Sequence, residues 1–298
     1  MTTHFFSYTE EQQINWIKEA ENALDLRDII LEKDIWICWV LKALFSFDLP
    51  MVFKGGTSLS KGFNLIHRFS EDLDITLDHR QFMLEANLTL ANNSQIKKAQ
   101  KCLKAELQKQ VSQVILPKLQ AMASQQFPEK NIVIQLDKED KKGEKIHFYY
   151  PKLLASSEDY LLDKIILEFG IRNVTEPNEK KHITPILSQF MKNNETIEWP
   201  TADVDILSPI RTLWEKATLI HVECSRNTLK NNAERLSRHW YDLSLLIHSW
   251  VGKEAIPRMD ILQSVVHHKK IFYPEKYYDD CLNGHLRLVP ENAVGGQL

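Results

Sequence analysis

Three carboxylates and a pair of glycines are the residues of this chain whose types and spacing could do chemistry. The chain holds only nine glycines in 298 residues, yet Gly55, Gly56 and Gly62 fall together in "FKGGTSLSKGF". Glycine suits a backbone that must turn sharply or let a ligand come close. A strand running into a Gly-rich turn and then a helix start would expose backbone N–H groups at the positive end of a helix, a corner that favours an anion such as phosphate. Sixteen residues after Gly56 comes Asp72, and two further on Asp74, inside the alternating "EDLDITLD" of residues 71–78. Residues i and i+2 of a strand share a face, so the two carboxylates converge there. Two such groups repel unless a cation lies between them, and Mg²⁺ binds through one or two carboxylates plus substrate phosphates. Two-metal phosphoryl transfer asks for a third carboxylate from another strand. Glu168, set in the apolar "IILEFGI", is the best candidate, because a carboxylate buried in such a run is costly without a partner.

These residues need elements to hold them. Residues 8–47 read as helical, opening with a capping box from Ser7 to Glu10 and ending at Asp48-Leu49-Pro50. "MVF" at 51–53 reads as a short buried strand feeding the glycines, and "TSLSKGFNLI" as the helix that follows. Residues 80–126 are polar and helical, "NIVIQLD" (131–137) and "KIHFYY" (145–150) pair as strands, and "DKIILEFGI" (163–171) makes a further one. Helical periodicity returns over 209–225, 229–250 and 257–268. Strands therefore concentrate between 50 and 207 and helices after 208. The expected fold class is α+β: a mixed-sheet domain with its opening helices over 1–207, then a helical domain over 208–298 that completes the cleft.

The stretch "FKGGTSLSKGFNLIHRFSEDLDITLD" resembles the signature of the AbiEii/AbiGii-type nucleotidyltransferase toxins, within the DNA-polymerase-β-like nucleotidyltransferase superfamily. The resemblance implies that Gly55, Gly56, Thr57 and Ser58 form the nucleotide-phosphate turn, that Asp72 and Asp74 bind metal, and that Glu168 is the third ligand. "RTLWEKATLIH" resembles the family's helical lysine motif and places Lys216 against phosphate. "RLSRHWYDLSLL" resembles its R-x-x-x-D motif, with Arg238 and Asp242 as the matched positions. Arg238 and Asp242 are four apart, a spacing that equally suits an intrahelical ion pair. Arg68 is a candidate nucleotide contact, as is Lys61, and either fits a surface or supporting role as well. What the resemblance implies is transfer of a nucleotide from an NTP to an acceptor with release of pyrophosphate, two Mg²⁺ ions (Mn²⁺ in their place), and the role of toxin beside an antitoxin in a toxin–antitoxin or phage-defence pair. tRNA or another RNA is the expected acceptor; a protein or small-molecule acceptor, or a nucleotide-binding module without turnover, are the alternatives.

Bulk composition fits and excludes. A net charge of −3 rules out a wholly electrostatic nucleic-acid binder, so any polyanion must meet a local basic face. Lys97, Lys98, Lys101 and Lys104 could supply a stripe of that kind, though a solvated helix face is the simpler reading. The four cysteines at 38, 102, 224 and 281 form no C-x-x-C, which fits a reducing cytoplasm and neither a zinc ribbon nor a disulfide framework. No H-E-x-x-H and no G-x-S-x-G occurs, against a zinc protease and a serine hydrolase. "MTTHFFSYTEEQQ" lacks a secretory leader pattern, and "IWICWVLKALFSF" (35–47) is too short for a membrane span and reads as a core helix.

Overall fold

Thr9, not Ser7, opens the first long helix. In the computed structural model, which describes residues 2–68, 72–154, 164–192, 194, 196–226 and 233–289, the two-residue strand β1 (Thr3–His4) precedes it. The Thr9 hydroxyl accepts the Gln12 N–H, and the Gln12 side chain accepts the Thr9 N–H. T-x-x-Q carries the same capping pattern as the expected Ser7–Glu10 box, two residues later. Helix α1 (Glu10–Leu24) stops where Asp25 takes a left-handed φ of 53°. The stretch that reads as one helix over 8–47 is therefore two, the second being α2 (Asp28–Phe45). Trp36, Ile37, Trp39 and Leu41 of α2 are all buried. A helix apolar nearly all round belongs inside a protein.

Strand β2 (Met51–Lys54) runs directly into α3 (Gly55–Phe63), and β3 (Asp72–Leu77) follows. Helices α4 (His79–Glu85), α5 (Asn93–Lys109) and α6 (Leu116–Gln126) cover one side, with a π-helical turn over Gln110–Ile115 joining the last two. Then come β4 (Val133–Leu136), β5 (Lys145–Tyr149), β6 (Ile165–Gly170), β7 (Asn178–Ile183), the short α7 (Ile186–Phe190), β8 (Ile197–Glu198) and β9 (Ala202–Leu207). The chain closes with α8 (Pro209–Ser225), α9 (Ala233–His248), α10 (Trp250–Ala255) and α11 (Met259–Phe272). Residues 229–232 of the expected 229–250 helix lie outside the described residues, as do Phe69, Ser70 and Glu71.

Among the described residues seven strands form one mixed sheet in the order β4-β5-β6-β3-β2-β9-β7, while β1 pairs with β8. β3 lies at its centre, antiparallel to β2 and parallel to β6. The register sets Asp74 opposite Lys54 on one side and opposite Glu168 on the other. Alternation then sorts the faces. Phe53, Leu73, Ile75, Leu167 and Phe169 point into a core shared with α2, α5 and α6, while Lys54, Asp72, Asp74 and Glu168 point the other way. A second apolar cluster joins α8, α9, α10 and α11, and Leu59 of α3 and Ile66 belong to it. Helix α3 is thus the seam between sheet and helical layer. No helix among the described residues is long and apolar enough to cross a membrane.

Candidate active site

Any side chain at position 55 would strain the backbone and push the Asp74 carboxylate aside. Gly55 has a φ of +82°, and a Cβ built on it would lie 2.0 Å from Oδ2 of Asp74. The glycine therefore lets the Asp74 carboxylate settle against the start of α3, where the first N–H groups have no partner within the helix. Gly55 and Gly56 line the cleft that opens above them. Thr57 and Ser58 do not: both are buried, Thr57 Oγ1 donates to the Asp72 carbonyl at 2.6 Å, and Ser58 Oγ donates to the Gly55 carbonyl at 2.9 Å. Their hydroxyls brace the turn from behind. Lys61, at the far end of α3, is also turned away from the cleft. It pairs with buried Asp34 of α2, whose other oxygen accepts the Ile186 N–H at 2.7 Å.

Asp74 and Asp72 lie in the sheet wall of the cleft with Glu168 beside them. Burial pushes the Asp74 carboxyl up to about 6; Lys54 pulls it down, and the neighbouring Glu168 and Asp72 push it up again. Glu168 is less buried than the apolar run around it suggests, its side chain being 44% exposed. Leu167 and Phe169 face the core, so strand alternation turns Glu168 outward at little cost. Its Oε2 lies 2.8 Å from Nζ of Lys145, its cross-strand partner on β5. Among the described residues no three His, Cys, Asp or Glu side chains converge as a metal-ligand cluster.

The opposite wall is built from α8, α9 and α11. Lys216 is buried rather than exposed, and its Nζ lies 2.9 Å from Asp242 Oδ2 and 3.4 Å from Nδ1 of His239. Arg68 reaches the same carboxylate from the segment after α3, Nε to Oδ1 and Nη2 to Oδ2, both at 2.8 Å. Asp242 is only 1% exposed. Burial pushes its carboxyl up, but the Arg68 hydrogen bonds and the Lys216 charge outweigh that and hold it below the ordinary carboxylate value. Burial and the Lys216 charge lower His239 to about 4, so its neutral ring accepts from the lysine. Arg238 is not the partner of Asp242. It stands exposed on the cleft wall with no ion pair among the described residues.

Four cleft cations escape sequence reading: Lys54, Arg211, Arg226 and Lys269. Lys54 adjoins the glycines, but only the register with Asp74 reveals its place. Lys269 lies in "HHKKIF", where neither spacing nor composition tells the inward lysine from the outward one. In the structure Lys270 is the outward one, paired with Asp279, whereas Lys269 Nζ donates to the Glu215 carbonyl and to Thr218 Oγ1, each at 2.8 Å. Together the walls enclose about 750 Å³, within the range of small-molecule sites. The arrangement is acidic on the sheet side, cationic on the helical side, with a helix start between them.

A family model described as "Nucleotidyl transferase AbiEii toxin, Type IV TA system" matches residues 39–294. Among curated proteins, none matches the sequence. Among solved structures, the chain is similar to MenT4, a nucleotidyltransferase toxin from Mycobacterium tuberculosis H37Rv, at 14% identity over 94% of this chain and 100% of that one, with a TM-score of 0.40. It is also similar to JHP933 from Helicobacter pylori, at 16% identity over 88% and 87% of the two chains, with a TM-score of 0.38.

Proposed function

The chain belongs to the AbiEii nucleotidyl transferase toxin family, and we propose that the cleft between its sheet and its C-terminal helices is where it transfers a nucleotide. Membership makes it a nucleotidyltransferase that uses an NTP, and the toxin of a toxin–antitoxin pair with an antitoxin as counterpart. In our reading residues 1–207 form the nucleotidyltransferase unit, residues 208–298 close the cleft over it, and the protein works in the cytoplasm, where its four free thiols stay reduced.

The observation that carries the placement is the contact between Asp74 and Gly55, which makes carboxylate and helix start a single site. The exposed N–H groups at the start of α3 bind phosphate oxygens of the NTP, as helix starts do. Arg238, with no ion pair among the described residues, takes part of the remaining charge from the opposite wall. Arg68 and Asp242 hold Lys216 in place, leaving the ammonium one of its three donors for the departing pyrophosphate. Asp72 and Asp74, joined by Glu168 once it leaves Lys145, would hold two Mg²⁺, or Mn²⁺. Their oxygen-only donor set suits such hard cations. Metal bound there supplies charge neutralisation at phosphorus and a more acidic acceptor hydroxyl. The chain's own part is positioning and fixed charge.

For the acceptor we propose RNA, tRNA in particular. The helical wall, with Arg238 exposed along the cleft and Lys269 beside it, fits a polyanion better than a neutral acceptor. The test is incubation with each α-³²P-labelled NTP, Mg²⁺ and total cellular RNA or protein. Label in tRNA with wild type, and none with Asp72→Ala or Asp74→Ala, is the expected result. Wild-type labelling by Asp74→Ala would refute the site, and label in protein alone would refute the acceptor.

A further inference from the structure

Most of the basic side chains lining the cleft already answer to a carboxylate. Arg68 and Lys216 share Asp242, Arg226 is held by Glu223 and Glu275, and Lys54 stands opposite Asp74. Lys269 differs from all of these. Both of its hydrogen-bond acceptors are neutral, the Glu215 carbonyl and the Thr218 hydroxyl, and the third face of its ammonium is left over. The groups around it do not supply the missing charge. Glu215 is the one carboxylate among them, and its side chain is engaged by Arg211 Nε at 3.1 Å. The Tyr278 ring lies 6.0 Å away, and burial keeps the Tyr278 hydroxyl and the Cys281 thiol neutral. Lys54 on β2 and Arg211 on α8 add positive charge rather than removing it.

A second observation points the same way. Arg211 is 2% exposed, with Nη1 donating to Ser264 Oγ at 3.2 Å, yet Nη2 is buried with no hydrogen-bond partner among the described residues. A buried guanidinium group left partly unpaired is costly, and an ammonium drawn out of water with no carboxylate of its own is too. Lys269 and Arg211 thus bring two cations to one carboxylate at the wall of a cleft that has to receive a polyphosphate.

We propose that Lys269 binds a phosphate group of the incoming nucleotide from the helical wall, with Arg211 behind it adding to the field. The proposal rests on the nucleotidyl-transfer reading of this cleft and deepens it. It moves the main phosphate contact of the helical wall from Lys216, whose charge is committed to Asp242, to a lysine on α11. Burial is the largest cause lowering the Lys269 ammonium to about 8, so binding is sensitive to mild alkali.

Calorimetric titration of the whole chain with each of the four NTPs, and with inorganic tripolyphosphate, in Mg²⁺ buffer tests this. Lys269→Gln removes the charge and keeps an N–H donor on a side chain one atom shorter, while Lys269→Arg keeps the charge. The expected outcome is a Kd raised about 10–100-fold for both probe types in Lys269→Gln, the worth of one charged hydrogen bond, and within a few-fold of wild type in Lys269→Arg. Wild-type affinity should weaken by about tenfold from pH 7 to pH 9, and that of Lys269→Arg should not. A merely structural lysine would not give that pH profile. Wild-type affinity in Lys269→Gln, or tripolyphosphate failing to bind where an NTP does, overturns the proposal. If wild type binds neither probe, the placement of the nucleotide in this cleft fails instead.

Discussion

Asp74 on β3 and Asp242 on α9 are carboxylates of one cleft, and burial acts on both, yet it prevails at the first and is overcome at the second. Asp242 has Arg68 in a two-point clasp and Lys216 at 2.9 Å, so its charge is answered by protein and its carboxyl stays low. Asp74 has Lys54 opposite it but also two other carboxylates nearby, and its carboxyl rises to about 6. The two walls therefore use the same side chain for different ends. An acid whose charge is cancelled internally holds its neighbours in position. An acid left short of cations is a place for one to arrive from outside.

The largest test of the contrast is Asp242→Leu, which strands two cations at a buried point. It should cost about 3–5 kcal/mol in urea denaturation, the range for breaking a buried pair. If stability is unchanged, Asp242 is not the keystone of the helical wall. Asp74→Asn should behave in the opposite way. Nucleotide transfer, measured as label incorporated, should drop about 10²–10³-fold, while stability rises. A variant that loses both activity and stability would erase the distinction between the walls.

Gly55→Ala should tie the two effects together. The left-handed backbone alone costs about 1–2 kcal/mol, and the new methyl displaces the Asp74 carboxylate, so activity should fall toward that of Asp74→Asn. Acidity separates the walls more gently. The folded Asp74 carboxyl, at about 6, binds its proton more tightly than in the unfolded chain, so the charged form costs stability above that value and the cost fades as pH falls through it. After a discount for partial exposure, wild type should trail Asp74→Asn by about 1–2 kcal/mol at pH 7 in EDTA and draw level near pH 4. Asp242 works in the reverse sense. Its depressed carboxyl contributes stability above the unfolded value, and that is lost only as pH drops through the lower folded one. The smallest effect belongs to Lys145→Met, which releases Glu168 from a partly exposed ion pair. Urea denaturation should show a change of no more than about 1 kcal/mol.

Much of the sheet wall is legible in the residues themselves. A rare glycine pair after an apolar run, then acids two apart in an alternating strand, are local patterns, and their chemistry follows from spacing of at most a few residues. Glu168 is legible as a position on a strand, but not as an outward-facing side chain held by Lys145, because its cross-strand neighbour is not written nearby. The helical wall is harder for a plain physical reason. Asp242 finds Arg68 from 174 residues away, and the nearer Arg238, at the spacing an ion pair favours, is left exposed. Burial of Lys216 and the inward turn of Lys269 depend on how α8, α9 and α11 pack, which periodicity alone does not give. The opening helices show the same limit at smaller scale. The S-x-x-E and T-x-x-Q patterns differ by two residues, and the break at Asp25 rests on one backbone angle that no glycine or proline announces.

Helix α3 is fastened at both ends, by Thr57 to the Asp72 carbonyl and by Lys61 to Asp34 beneath the sheet. A segment tied in this way has little freedom left to surrender when an anion arrives. Its amides should exchange with deuterium slowly even without nucleotide, and association should be limited by encounter rather than by rearrangement of the turn. Speed of capture, in this protein, is a property set when the chain folds.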